Sequence, residues 1–410
     1  MPSYFNQIHA ESPFNVSGKH IPCEAGFDMG LKSHSHFGTH PGIVPLIRTM
    51  STQQQQAEQN TINEANLHAL VGGILRDLGG AFSVPLVQIG ESLGLYQTLS
   101  ENGPISSGEL AARTGLKERY LREWLSAQAA SNYITFEPTI EKFSMTPEQS
   151  FVFADQGSPF YLAPAFGAAA AFQHNMPQVE AAFRTGEGVA WGDQTQCLSC
   201  AVARFFRPGY DNHLVKSWLP ALHGVVEKLE RGGEVADVGC GHGISTMIMA
   251  RAFPKSKVHG FDFHEKSIEE ARQHANKHNV SNIGFQTREA KDLPGKYDLI
   301  TMFDCLHDMG DPVGALKHVR AALKPNGSVM IVEPMAGDSL KDNLNPIGRM
   351  YYSASTMVCV PTSLAQPTGA ALGAQAGERR LRKLIVEEAG FSICRRVTET
   401  PFNMILEARP

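Results

Sequence analysis

No apolar run in this 410-residue chain approaches the roughly 20 residues that cross a bilayer, so no membrane span is expected. The chain does not begin with a charged segment followed by an apolar stretch. That absence speaks against a secretory leader and gives the expectation of a cytoplasmic protein. Basic excess is also missing: 36 Lys and Arg stand against 41 Asp and Glu, a formal net charge of −5. Such a balance argues against a broad nucleic-acid or anionic-membrane footprint. Cysteine is sparse, and its seven positions are odd in number and scattered, which suits reduced thiols and not a disulfide framework. Cys197 and Cys200 form a lone C-x-x-C with no second pair, and His34, His36 and His40 sit in a tail without periodicity. No metal site is expected from either.

What is present is enough apolar residue, 42%, to bury one large core or two moderate ones. The most informative stretch runs Val235-Ala236-Asp237-Val238-Gly239-Cys240-Gly241-His242-Gly243. Three glycines alternate after an acidic residue, and helical pattern follows over 244–253. Glycine lets a backbone turn tightly and lets a ligand touch it. Free helix amides open behind such a loop. A second apolar run, 258–261, is closed by Asp262, and a carboxylate about 20 residues on can take two ribose hydroxyls. This is the layout of a nucleoside-binding βαβ unit.

Residues 1–49 show no sustained period and are read as a loose, dispensable extension. A helical, dimer-forming domain is expected over 50–160, a helical linker and lid over 161–230, and the ligand-binding α/β domain over 231–410. Helical spacing covers residues 67–78 and again 82–95. Ser106-Ser107-Gly108-Glu109 reads as a capping box, Gly115 as a helix stop, 117–130 as a helix, and 133–136 with 141–145 as a hairpin. Helix, turn, helix, hairpin is a winged-helix layout. Its second helix holds Lys117, Arg119 and Arg122 against Glu118 and Glu123. With phosphate neutralisation dominating DNA affinity, a structural role is favoured, as a dimer contact or a lid. The apolar residues over 62–100 exceed what a small winged helix needs, which predicts a homodimer.

Beyond residue 235, strands are predicted at 235–238, 258–261, 283–287, 298–303 and 328–333. Helices lie between them at 243–253, 266–279 and 312–323, and the turn Pro325-Asn326-Gly327 precedes the last strand. A long insert, 334–376, precedes a helix over 377–389 and a closing hairpin, 391–397 with 402–408, giving a mixed sheet. Ligands in such sheets bind beyond the carboxyl ends of the strands. That rule selects the glycine loop, Asp262 with Phe263, Glu289 with Ala290, Asp304, His307, Asp308 and Glu333. The insert, with Met350, Tyr351, Tyr352 and Met357, is expected to roof the pocket. Trp191 and Tyr210 lie in glycine-flanked aromatic clusters, and each either packs or touches ligand.

Residues 235–333 resemble a class I S-adenosylmethionine-dependent methyltransferase domain, with a Rossmann-like α/β sheet. The runs Phe303-Asp304-Cys305-Leu306-His307-Asp308-Met309-Gly310-Asp311-Pro312 and Asn343-Leu344-Asn345-Pro346-Ile347-Gly348-Arg349 are similar to a bacterial-type family of these enzymes with an N-terminal winged-helix domain. The resemblance implies S-adenosylmethionine as cofactor. Asp237, Gly239, Cys240, Gly241, Gly243, Asp262, Phe263, Glu289, Ala290, Asp304 and Tyr210 would hold it. Leu306-His307-Asp308 is similar to a stretch of winged-helix small-molecule O-methyltransferases, in which the histidine is general base, although Met309 stands where they have tryptophan. Transfer to oxygen would use His307, whose ordinary pKa of about 6.5 suits proton removal. Transfer to carbon would use Asp308 or Glu333 to take the proton. A histidine that only braces its loop is the other reading. The acceptor is expected to be small and partly hydrophobic. A cofactor-sensing winged-helix transcriptional regulator is the alternative function.

Overall fold

The structure, a computed structural model, describes residues 62–410, without the side chains of residues 196 and 197. The extension and the tail histidines therefore lie outside the described residues. The N-terminal part opens with a helix, Glu64–Ser92. Sequence spacing gives two helical runs here, and the structure gives one continuous helix with Pro85 inside it. Packing overrides the proline. Beyond it, Val87 and Gly90 are buried, and the Trp124 indole donates to the carbonyl of Leu86 at 2.8 Å. The same helix bears on the expected absence of a membrane span by length and composition alone. It is long and apolar enough to cross a bilayer by length and composition, because its interruptions are mostly glycine and not charge.

Helices Leu95–Asn102, Ser107–Thr114 and Glu118–Ala130 follow, and then strands β1 (Thr135–Glu137) and β2 (Lys142–Ser144), paired antiparallel. The Ser106–Glu109 capping box forms, and Gly115 ends its helix at φ 72°. These elements enclose a core of Leu95, Tyr96, Leu99, Leu110, Trp124 and Leu125. Two of the three basic side chains expected in helix 117–130 are ion-paired along the helix surface, Arg119 to Glu123 and Arg122 to Glu118.

The C-terminal part is a seven-stranded sheet in the order β5-β4-β3-β6-β7-β9-β8. Its strands are β3 (Glu234–Val238), β4 (Lys257–Asp262), β5 (Ile283–Thr287), β6 (Tyr297–Phe303), β7 (Leu323–Pro334), β8 (Ile393–Glu399) and β9 (Asn403–Arg409). β3 to β7 run parallel, and β9 pairs antiparallel with both β7 and β8, so the closing hairpin makes the sheet mixed. Both faces are covered. Ala236, Val238, Ile300 and Met302 enter one core, and Val235, Leu299 and Phe303 the other. A sheet buried on two sides needs continuous apolar strands, which is why these runs do not alternate with polar residues. β7 begins earlier than expected. Leu323 already pairs with Tyr297, and the Pro325-Asn326-Gly327 turn is absorbed as an irregularity in the register. The predicted helix 377–389 is an α-helical half, Gly377–Arg382, and a wider π turn, Lys383–Glu388.

The order of the sheet places the functional region. The chain runs outward from β3 to β4 and β5, then returns to lay β6 on the opposite side of β3. The crevice beyond the carboxyl ends of β3 and β6 is the switch point where open α/β sheets hold ligands.

Candidate active site

A cavity of about 450 Å³ opens at that crevice. Its floor is the loop after β3. Gly239, Gly241 and Gly243 adopt φ of 72°, 51° and 73°, in the left-handed region that favours glycine. They do different things. A Cβ on Gly239 would lie 2.8 Å from the Cys305 sulfur, and one on Gly243 would lie 2.6 Å from the Phe285 ring. At Gly241 the space is open, so only there does the missing side chain leave room without being required by a protein neighbour. Gly239, Cys240 and Gly241 line the cavity.

Asp262 ends β4 and lines the same cavity. Its Oδ2 accepts from the Gly241 amide at 2.9 Å and its Oδ1 from the His264 amide at 2.8 Å. Burial pushes this carboxyl up, and the two amides oppose the shift. The loop is thus tied to the acid that follows the next strand. Exposed Phe263, together with Glu289 and Ala290 after β5, lines the wall beside it. Across the crevice, Asp304 follows β6 at φ 47°. Asn403 of β9 donates to its Oδ1 at 2.7 Å, and the Tyr210 hydroxyl lies 3.5 Å from its Oδ2. Burial pushes Asp304 well above the carboxylate range, with the Glu333 charge adding to it.

His307 sits one turn further on, 3% exposed and lining the cavity. Its Nδ1 lies 2.7 Å from Glu333 Oε2, and its Nε2 lies 3.2 Å from Asp308 Oδ1. Glu333 Oε1 also accepts from the Leu306 amide at 3.2 Å. Burial alone would lower the imidazole pKa, but Glu333 and Asp308 hold it well above its ordinary value. Cys359, in a π turn at Ser355–Cys359, lines the cavity beside His307, and burial pushes its thiol up to about 12. Ala165, Ala168, Ala169, Phe172 and Phe206 form an apolar wall, and Trp191, Tyr210 and Tyr351 also line the cavity.

Three residues expected at the ligand are not among those lining the cavity: Asp237, Gly243 and Glu333. Asp237 is wholly buried beneath the loop and accepts hydroxyl hydrogen bonds from Ser245, Thr246 and Thr301 at 2.7, 2.6 and 2.8 Å. Gly243 sits against the Phe285 ring, which leaves no room for a Cβ. Glu333 stands behind His307, its two oxygens taken by the ring and a backbone amide. The roof is also different in detail. Met350, Tyr351, Val358 and Cys359 of the insert reach the cavity, whereas Tyr352 and Met357 do not line it. Sequence reasoning missed Asn403 and Cys359. Each lies far along the chain from its partner, and no local spacing points to either.

Residues 229–389 match a family described as a methyltransferase domain, and residues 81–154 a family described as an Rv2258c-like winged HTH domain. Among curated proteins, a ubiquinone biosynthesis O-methyltransferase of Neisseria meningitidis is 36% identical over 103 residues, 24% of this chain and 43% of that protein. One from Acinetobacter baylyi is 33% identical over 129 residues, 30% of this chain and 52% of that protein. The chain thus spans about half the length of the curated relatives it matches. Among solved structures, human N-acetylserotonin methyltransferase in complex with SAM superposes with a TM-score of 0.58 at 16% identity, covering 85% of this chain and 99% of that one. An O-methyltransferase family protein from Burkholderia thailandensis gives 0.58 at 18% identity, covering 85% and 98%. These two likenesses establish the fold.

Asp237→Ala should leave three buried hydroxyls without their acceptor. A loss of about 3 kcal/mol is expected, read as a lower denaturant midpoint for the purified chain. An unchanged midpoint would show that the Asp237 network does not hold the loop.

Proposed function

We propose, for a chain that carries an S-adenosylmethionine-dependent methyltransferase domain behind an N-terminal winged helix, that the methyl group goes to an oxygen of a small, partly hydrophobic acceptor. The observation that carries this reading is His307, which lines the cavity while Glu333 lies 2.7 Å from its Nδ1. When bound, the cofactor supplies an electrophilic methyl group on a sulfonium centre. The residues present suit it. Gly241 leaves open space beside the Asp262 carboxylate, whose remaining lone pairs are free for ribose hydroxyls. Glu289, Ala290 and Phe263 would border the base, and Asp304 and Tyr210 the amino-acid end.

Glu333 is a positioning residue, since its hydrogen bond fixes which ring nitrogen of His307 carries the proton. The other nitrogen is then the one that takes the proton from an acceptor hydroxyl. In the free protein the two carboxylates favour the imidazolium. His307 loses that proton more readily once a cation shares the cavity. The apolar wall excludes water and favours a flat, partly hydrophobic acceptor. The names of the curated relatives support oxygen as the acceptor atom. Glu333 has no free face toward the cavity, which disfavours its use as a proton acceptor for transfer to carbon.

A homodimer formed through the N-terminal helix belongs to the same reading. Leu70, Leu75 and Phe82 are 61%, 63% and 73% exposed along it, too much apolar surface on one helix to leave facing water.

Asp262→Asn should weaken S-adenosylhomocysteine binding at least about tenfold by calorimetry, because charge-assisted hydrogen bonds to the ribose become neutral ones. Equal affinity would remove Asp262 from the cofactor site. His307→Ala should lower turnover by about 10²–10⁴-fold while cofactor affinity stays put, in an assay of labelled S-adenosylmethionine against metabolite extracts. If affinity and melting temperature fall with the rate, His307 braces the loop instead. Sedimentation at micromolar concentration should report a dimer that Phe82→Glu dissociates, and a wild-type monomer would reject the interface.

A further inference from the structure

Within the cavity, three side chains converge in a way that methyl transfer alone does not require. One ring nitrogen of His307, a carboxylate oxygen of Asp308 and the sulfur of Cys359 all lie within 4.8 Å of one another. All three residues line the cavity. His307 and Asp308 come from the turn after β6, and Cys359 from the π turn of the insert. His307 and Cys359 are 3% and 6% exposed, so the cluster is not a chance grouping of surface charges.

Two further observations point to a ligand. Asp308 Oδ1 is buried and makes no hydrogen bond, although it lies only 3.2 Å from His307 Nε2. The His307 ring answers that oxygen in charge but not in hydrogen-bond geometry, and a cation held by both side chains would engage it more fully. The second observation is the 2.7 Å contact between Glu333 and His307 Nδ1. A carboxylate on one ring nitrogen leaves the lone pair on the other, and metal-ligating histidines are held in this way. The surroundings also carry an excess of acid. Asp304, Asp308 and Glu333 are set around one imidazole.

Nitrogen, oxygen and sulfur together suit a borderline-soft divalent ion of the zinc type and not magnesium or calcium, which prefer oxygen alone. Three protein ligands leave a fourth position facing the cavity. We propose that His307, Asp308 and Cys359 bind one thiophilic divalent cation, and that its presence occupies the lone pair needed for methyl transfer. The second half of this proposal rests on the reading of His307 as base. On binding, the thiol gives its proton to solvent as the sulfur is ligated. The cation is not oxidised or reduced. The site then acts as an off-switch, with cation and acceptor proton competing for the same nitrogen.

The test uses the purified full chain and cobalt(II) as a visible stand-in for zinc. One equivalent should produce a thiolate-to-cobalt charge-transfer band in the near ultraviolet, and zinc should bleach it. Cys359→Ser should abolish the band, and Asp308→Asn and His307→Ala should each weaken cobalt binding at least about tenfold. Cys305→Ser should keep the band, and melting curves check that each variant folds. No band, or a band that survives in Cys359→Ser or His307→Ala, overturns the site. In the turnover assay, zinc should suppress methyl transfer and a chelator restore it. Cation binding without suppression overturns the switch. Since His307→Ala is assayed separately without metal, that failure is distinct from failure of the base.

Discussion

A carboxylate without access to water holds the end of β3 in place. Asp237 accepts three hydroxyl hydrogen bonds, from two residues at the start of helix Ile244–Ala252 and one on β6. Its two oxygens therefore join the three elements that meet beneath the glycine loop. Burial pushes this carboxyl up to about 6 even against those donors. A buried acid is tolerable only when every lone pair that matters is engaged. The loop conformation, the entry of the helix and the spacing of β3 from β6 are thus set together. Each is needed for the cavity at the switch point.

From that anchor the site is built outward in two directions. Toward β4, Asp262 repeats the device, itself buried, by accepting the Gly241 amide while lining the cavity. Toward β7, the polar chain runs Asp308, His307, Glu333 and the Leu306 amide. Low dielectric strengthens each of these contacts and raises the cost of breaking one. The arrangement separates a side made of backbone and a carboxylate from a side made of an imidazole between two acids. The Ala-rich helix Ala163–Thr185 and the insert close the cavity with small and aromatic residues.

The winged-helix part follows a different logic. Its core is complete, with the Tyr96 hydroxyl donating to the Gln128 side chain at 2.6 Å inside it. Arg119 and Arg122 on its second helix are paired with neighbouring glutamates, which leaves little free positive charge for phosphate. The unsatisfied surface lies instead on the preceding helix and is apolar.

The alternation of strand and helix, the glycine loop, Asp262, the capping box at Ser106 and the winged-helix order were legible in the sequence. Each is written in a local period, a cap or a turn residue, and short-range sterics and hydrogen bonding suffice to set it. The single helix across Pro85 was not legible, because packing by Val87, Gly90 and Trp124 decides it. Asp237 and Glu333 were legible as important acids but not in their roles. Whether a carboxylate at a strand end faces ligand or protein depends on which donors the neighbouring elements bring. Asn403 beside Asp304, and Cys359 beside His307, carry no local signal, since each pair joins segments distant in the chain. The sequence by itself determined most of the elements and where the loops at the carboxyl ends of the strands lie. Tertiary structure alone decided which side chains meet in the cavity, because that depends on long-range packing, for which a linear pattern has no period.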